Sequence, residues 1–343
     1  MAAVALEAAR ELLQGLVETP SPSGEEAAAA ERLVAFFESH GREAWTDDVG
    51  NVRAPADDAA LLTSHVDTVP GDIPVRVEDG VLWGRGAVDA KGPLAALAAA
   101  AVETGVSFAG VVGEEADSRG ARYLAEARDA PGAVVNGEPS GWDAVTLGYR
   151  GLLAGTYLAT SQSGHSSRPT NNAIEDAIDW WDRVRAAFAA DEWTPVFETV
   201  TTKPVSFEGG PSDDGLSVEA TMDVQFRVPP KMGVDGVREV ADGALEAGTV
   251  RWTDRIPPVM LSPRTEPARR FRAAIREAGG EPRLLRKTGT SDMNLYATAW
   301  DCPMVTYGPG DSALDHTPTE RLSLDEFDRS IAVLTDVCRG LVG

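Results

Sequence analysis

The chain has 343 residues, with 54 acidic residues against 31 basic ones and a formal net charge of -23. A 43% hydrophobic content with eight tryptophans excludes a disordered acidic chain and leaves core enough for two domains or one large one. The charge excludes nucleic acid as the default partner, because phosphates call for a basic face, and the longest apolar run, near residues 94–102, is far too short to span a bilayer.

Residues 2–16 read as an amphipathic helix, ended by the turn cluster 19–24 with Pro20 and Pro22. A second helix is predicted over 24–40, with Leu33, Val34, Phe36 and Phe37 apolar. Short apolar runs then alternate with helices: a strand at 59–64, a hairpin arm at 75–83, an Ala-rich helix at 91–104, a strand at 107–113, a helix at 119–128 and a strand at 133–136. Such alternation predicts a sheet flanked by helices.

The character changes near residues 149–151. A strand (152–160), a helix (173–188), two strands (200–208 and 217–228), a helix (234–247) and a strand (249–252) follow. That β-α-β-β-α-β order is the split βαβ pattern of a ferredoxin-like domain. After the proline-rich stretch 257–263 the first pattern resumes, with helices at 267–278, 293–300 and from 324, and strands at 282–286 and 303–307. The expected fold is therefore α/β: a helix-flanked mixed-sheet catalytic domain (1–150 and 262–343) interrupted by an inserted α+β domain (151–261).

Five carboxylates and two histidines fall where strands should end: His65, Asp67, Asp89, Glu114, Glu115, Glu138 and His316. Sites in open α/β sheets are built at such ends, and one strand–helix unit separates each of His65, Asp89, Glu114 and Glu138 from the next. Five clustered carboxylates repel one another unless cations sit among them, and two divalent ions nearly neutralise the set. Histidine with Asp/Glu and no Cys suits Zn²⁺ or a similar first-row ion better than Ca²⁺ or Mg²⁺. A pair of ions roughly 3.5–4 Å apart needs a bridging carboxylate. Asp89 is the candidate bridge, with His65 and Glu138 on one ion and Glu115 and His316 on the other. Asp67, two residues after His65, can accept the ring's second N–H and fix its tautomer. Glu114 and Glu115 point to opposite sides if extended, so Glu115 ligates and Glu114 is the general base.

Each residue has a plainer reading. A single Asp or Glu in an acidic protein is usually a solvated charge, and His65 could be a hydrogen-bonded core histidine. Gly84-x-Gly86 mimics a phosphate loop, but Asp89 stands where a dinucleotide fingerprint needs glycine. The weight comes from all seven residues together.

His65-x-Asp67, Gly84-Arg85-Gly86-Ala87-Val88-Asp89-Ala90-Lys91-Gly92, Gly113-Glu114-Glu115, Gly137-Glu138-Pro139 and His316-Thr317-Pro318 together resemble the M20 peptidase/deacylase family, in order over nearly the whole chain. That family includes acetylornithine deacetylase, succinyl-diaminopimelate desuccinylase and dimetal carboxypeptidases. The resemblance implies the two-ion assignment (Zn²⁺, with Co²⁺ as the second choice), Asp67 orienting His65, Glu114 as acid/base and a cis peptide after Asp89. It further implies that the inserted domain is a lid and dimerisation domain in a homodimer. His165, in Ser163-Gly164-His165-Ser166-Ser167, resembles the lid histidine that reaches a neighbouring subunit's site and hydrogen-bonds the developing oxyanion. Arg227 matches a position used for a substrate carboxylate, and Gly289-Thr290-Ser291-Asp292 resembles the substrate-carboxylate loop.

The segments Leu147-Gly148-Tyr149-Arg150-Gly151 and Lys287-Thr288-Gly289-Thr290-Ser291-Asp292-Met293-Asn294 look most like one branch, the [LysW]-lysine/[LysW]-ornithine hydrolases. These release lysine or ornithine from the terminal glutamate of a small acidic amino-group carrier protein. The other readings are a small-molecule N-acyl amino acid deacylase, such as an acetylornithine deacetylase, and a non-catalytic metal-bound amino-acid-binding protein. Residues 264–287 carry eight basic against three acidic residues, a local +5 that either docks the carrier or is a solvated face with internal Glu–Arg pairs. Two cysteines, Cys302 and Cys338, and no basic residue ahead of an N-terminal apolar stretch fit a reducing cytoplasm. Only four lysines occur among the basic residues, and excess carboxylate keeps a protein soluble in high salt. A halophilic protein and an ordinary acidic protein from a GC-rich genome both fit.

Overall fold

A computed structural model of the chain describes residues 6–165, 167 and 169–343. Residues 2–5 of the first predicted helix and Ser166 of the His165 motif lie outside the described residues. The elements in chain order are α1 (Leu6–Val17), α2 (Ala27–Ser39), β1 (Trp45–Thr46), β2 (Val52–Ala54), β3 (Asp57–His65), β4 (Arg76–Glu78), β5 (Val81–Trp83), α3 (Lys91–Thr104), β6 (Val106–Val111), α4 (Arg119–Ala127), β7 (Val134–Gly137) and β8 (Ala144–Tyr149). Then come β9 (Gly151–Gln162), α5 (Ala173–Ala187), β10 (Thr201–Pro211), β11 (Ser217–Val228), α6 (Gly233–Gly243), β12 (Thr249–Ile256) and β13 (Val259–Met260). The last are α7 (Glu266–Glu277), β14 (Arg283–Lys287), α8 (Asp292–Ala299), β15 (Met304–Thr306), β16 (Arg321–Ser323) and α9 (Leu324–Val342).

The chain divides into two compact units: residues 1–147, 261–285 and 291–343 form the first, and 148–260 with 286–290 form the second. The stretch 286–290, which the sequence reading put with the catalytic domain, groups with the insert because Lys287 accepts the Arg150 N–H at 3.3 Å and Thr288 accepts the Arg150 Nε–H at 2.8 Å.

The first unit is built on a mixed sheet whose order runs β1-β2-β6-β3-β7-β15-β8. Its centre is parallel: β3 pairs β6 and β7 in parallel, and β15 pairs β7 the same way. Strands covered on both faces read as continuous apolar runs, and the last six residues of β3 and all six of β6 are buried. Behind them lies α3, whose sequence is apolar all round, so it sits fully inside against α1 and α9 rather than at the surface. Gly105 ends it in the left-handed conformation at φ +75°. The predicted arm at 75–83 is a complete hairpin, β4 and β5, turning on Asp79 and Gly80, both with positive φ. Asp-Gly is the residue pair that this turn favours. β16 adds the third strand of that small sheet.

The second unit is a four-stranded antiparallel sheet in the order β10-β11-β9-β12, with α5 and α6 packed against it. This is the ferredoxin-like arrangement read from the strand–helix order. Its core is aromatic, with Tyr157 stacked on Trp180 at 4.8 Å between ring centroids, and the Trp180 indole N–H donates to the Ala241 carbonyl. Asn172 caps α5 by accepting from the Ile174 and Glu175 N–H groups while Glu175 reaches back to the Asn172 N–H.

Candidate metal centre

Three neighbouring parallel strands end together. β3 finishes on His65, β6 runs into the turn holding Glu114 and Glu115, and β7 is followed directly by Glu138. Asp89 lies in the turn that opens α3, and His316 in the loop ahead of β16. Gly86 makes that turn possible: its φ is +81°, and a Cβ there would sit 2.7 Å from Thr68 and 2.9 Å from Lys91. The Asp89–Ala90 peptide is cis.

Asp89 sits between two imidazoles. Its Oδ1 lies 3.2 Å from Nε2 of His65, and its Oδ2 lies 3.2 Å from Nε2 of His316. His316 Nε2 is also 3.0 Å from Oε1 of Glu115. Ligand atoms of His65, Asp89 and Glu115 all fall within 4.8 Å of one another. Glu138 is almost fully buried beside them, and its charge acts on both His65 and Glu114.

Crowding is visible in the acidities. Burial alone would lower the His65 imidazole, but hydrogen bonds to Asp67 and Asp89 and the charges of Glu114 and Glu138 carry it well above the ordinary histidine value. Hydrogen bonding to Asp89 takes His316 up to about 9 against the opposing effect of burial. Burial lifts Glu114 well above the usual carboxylate range, and Glu138, Asp292 and Glu115 push it further. Glu115 is raised for the same first reason, whereas its two imidazole partners hold Asp89 low despite burial.

His65 Nδ1 lies 2.9 Å from the Asp67 backbone carbonyl and 3.5 Å from its carboxylate, so Asp67 meets the ring through both groups. The Asp67 carboxylate also accepts the backbone N–H groups of Glu114 and Glu115 at 3.1 Å each and the Ser23 hydroxyl at 2.6 Å. These bonds, with His65, outweigh burial and hold it down at about 2. One sequence expectation needs correcting: Glu114 and Glu115 are not extended. They sit in a turn entered through Gly113 at φ +76°, and the paired bonds to Asp67 set their backbone.

Several residues here escaped the sequence reading. Ser23 supports Asp67. Asp292, quoted only as part of the 289–292 loop, is 2% exposed at the start of α8; its Oδ1 has no partner among the described residues, and it is pushed up to about 7, chiefly by burial. Glu320 and Arg85 brace the Asp89 turn. Arg85 stood inside a quoted motif, and Glu320 lies four residues after His316, but no spacing rule singles out a bracing carboxylate.

In the second unit, Arg227 donates from Nη1 to the Thr290 hydroxyl at 3.1 Å, so the two predicted substrate-binding residues meet. Gly289 adjoins them, with nothing within 4 Å of where a Cβ would stand. Arg150, 4% exposed, donates to Thr288 O, Val196 O and Thr201 Oγ1 beside them, and the sequence reading used it only as a branch marker. Burial and the neighbouring Arg227 charge lower Arg150 from its ordinary value. A guanidinium pair of this kind suits a carboxylate. His165 is exposed, with Nδ1 2.9 Å from the Ser167 hydroxyl.

The donors of the first unit fit divalent ions: imidazole nitrogens and carboxylate oxygens converge, no thiolate lies among the clustered donors, and one carboxylate presents an oxygen to each side. Such a cluster on the ends of parallel strands is the site of a metal-dependent hydrolase. The chain belongs to peptidase family M20/M25/M40, which it matches over residues 61–340. It is 42% identical over 357 residues to a [LysW]-lysine hydrolase of Deinococcus radiodurans, covering 98% of each chain. It is 32% identical to a [LysW]-lysine/[LysW]-ornithine hydrolase of Sulfurisphaera tokodaii, covering 93% of this chain and 91% of that protein. In fold it resembles an M20 family metallo-carboxypeptidase from Sulfolobus solfataricus, with a TM-score of 0.78 at 19% identity over 96% of this chain and 98% of that one.

Proposed function

We propose that the protein hydrolyses the amide joining lysine or ornithine to the terminal glutamate of a LysW-type carrier protein, as a step of lysine and arginine biosynthesis. The chemistry rests on one observation: each Asp89 oxygen faces a different imidazole, the posture of a bridging ligand. The substrate class follows the full-length likeness to the LysW-named hydrolases.

In this reading His65, Asp89 and Glu138 hold one ion and Asp89, Glu115 and His316 the other, Zn²⁺ suiting the donors best and Co²⁺ next. When bound, the ions polarise the scissile carbonyl and acidify water. Glu114 takes the proton of the attacking water and delivers it to the leaving amine, a task that its raised proton affinity suits. Asp67 keeps Glu114 and Glu115 in register through their backbone N–H groups. Arg227, Thr290 and Gly289 hold the substrate carboxylate, and His165, from the partner of a homodimer, donates to the oxyanion. The edge strand β10 supports dimerisation: it is exposed along nearly its whole length, with the apolar Val205 and Phe207 among its exposed residues.

The carrier-docking segment is only partly available. Arg270 pairs with Glu266 at 2.7 Å and Arg283 with Asp143 at 2.6 Å, while Arg264, Arg269 and Arg276 are exposed. Carrier docking uses those cations in a cytoplasmic, salt-adapted enzyme. Assaying carrier-linked lysine, carrier-linked ornithine and N-acetylornithine side by side tests the reading. Turnover confined to the acetylated compound returns the protein to the small-molecule deacylases, and no metal-dependent turnover of any amide ends the hydrolase reading.

A further inference from the structure

Glu320 is a fully buried carboxylate whose side-chain partners among the described residues all lie in the turn that carries Asp89. Its Oε1 accepts the backbone N–H groups of Val88 at 2.9 Å and Asp89 at 3.0 Å. Its Oε2 accepts from Arg85 Nη1 at 2.7 Å. The same guanidinium nitrogen lies 3.4 Å from the Thr317 carbonyl, next to His316, and Gly84 N–H reaches the Glu320 carbonyl at 3.4 Å. Beyond these contacts β16 pairs β5 from Arg321 opposite Trp83. Two segments more than 200 residues apart in sequence are thus cross-tied at several points.

These segments carry Asp89 and His316. We infer that Glu320, with Arg85, is a positioning clamp that sets the orientation of the Asp89 carboxylate and fixes its distance from His316. The inference rests on the proposed metal centre. Asp89 must present one oxygen to each side, and rotating the Val88–Asp89 backbone turns both oxygens at once. Because the two N–H donors sit at residues 88 and 89, their bonds to one carboxylate oxygen remove that rotation. A buried carboxylate bonded in this way also stays in place only while Arg85 balances its charge. Outer partners of metal ligands commonly change metal affinity by about 10–100-fold when replaced.

Glu320→Gln keeps the side-chain shape but turns an N–H₂ group toward one of its three donors. The test compares it with wild type and with Asp328→Asn, which removes the partner of Arg10 on α9, away from the ligands. Zn²⁺ affinity is measured on metal-free protein by chelator competition, with circular dichroism and thermal melting of the same metal-free samples. The expected result is a loss of Zn²⁺ affinity of roughly 10-fold or more in Glu320→Gln with the metal-free fold retained, and unchanged affinity in Asp328→Asn. If Glu320→Gln does not fold, Arg85→Lys serves instead, expected to weaken Zn²⁺ binding several-fold at unchanged secondary structure. Wild-type affinity in whichever variant folds overturns the clamp. Failure of wild type itself to bind Zn²⁺ removes the metal centre, a separate outcome.

Discussion

The proposed base, Glu114, would have the most demanding task for a single side chain. Its position is set from the backbone, by the two N–H bonds that Asp67 accepts, and its proton affinity by burial among other carboxylates. Glu114→Gln is expected to lower kcat by at least about 10²-fold while Zn²⁺ content by elemental analysis stays at the wild-type level. Equal activity at equal metal content would remove the base assignment. Asp67→Ala differs in kind: it frees the Glu114–Glu115 turn, so both turnover and metal content should fall together. Residue identities at the centre were legible because imidazoles and carboxylates recur near predicted strand ends, although a hairpin, not a strand–helix unit, separates His65 from Asp89. What each one touches was not. The nearest contact of His65 Nδ1 is a backbone carbonyl, which exists at every position and leaves no mark in a sequence.

Among the elements, legibility followed length. Helices α3, α5, α7 and α9 and strands β3, β9 and β11 match the predicted segments to within a few residues, because each has a long apolar pattern of one period. The missed strands β1, β2, β13 and β16 are two or three residues long and make strands through tertiary pairing, whereas the equally short β15 showed in the apolar run around it. β8 was missed for a different reason: its run Ala-Val-Thr-Leu-Gly-Tyr sits against the domain boundary and was absorbed into it. Two variants probe this scale. Asn172→Ala removes the α5 cap and should cost about 1 kcal/mol, read from the denaturation midpoint. Ala98→Leu inserts three carbons into a helix enclosed on every side and should cost about 1–3 kcal/mol with a broadened transition.

For the molecule as a whole, charge dominates. At -23 the chain repels itself, and counterions must screen that repulsion. If the composition is an adaptation to salt, dilution below about 0.5 M should unfold the protein, whereas full stability in dilute buffer argues for a merely acidic one. Bound ions act in the same direction: Zn²⁺ at about 100 times its dissociation constant should stabilise the fold by about 2.7 kcal/mol, and chelation should reverse the gain in melting temperature. Reversing the exposed Arg264, Arg269 and Arg276 to Glu should raise KM for carrier-linked substrate and spare small acyl-amino acids. Equal effects on both would discard docking there. The sequence located the cations but not their pairing, since the partners of Arg283 and Arg286, Asp143 and Glu198, lie far away in the chain.

The long insert, 148–260, leaves and rejoins the first unit at one doorway, while the short stretch 286–290 joins the second unit separately. Leu261 N–H donates to the Leu147 carbonyl at 2.8 Å, so the two cut ends already face each other as opposed rungs of a ladder. A two-residue Asn-Gly reversal could close that gap without stretching the backbone. All seven clustered acids and imidazoles, together with their bracing carboxylate, would stay on the shortened chain. Most of the second unit is therefore separable by surgery at one seam, with residues 286–290 left behind, and a chain cut there would keep the clustered donors while losing Arg150 and Arg227.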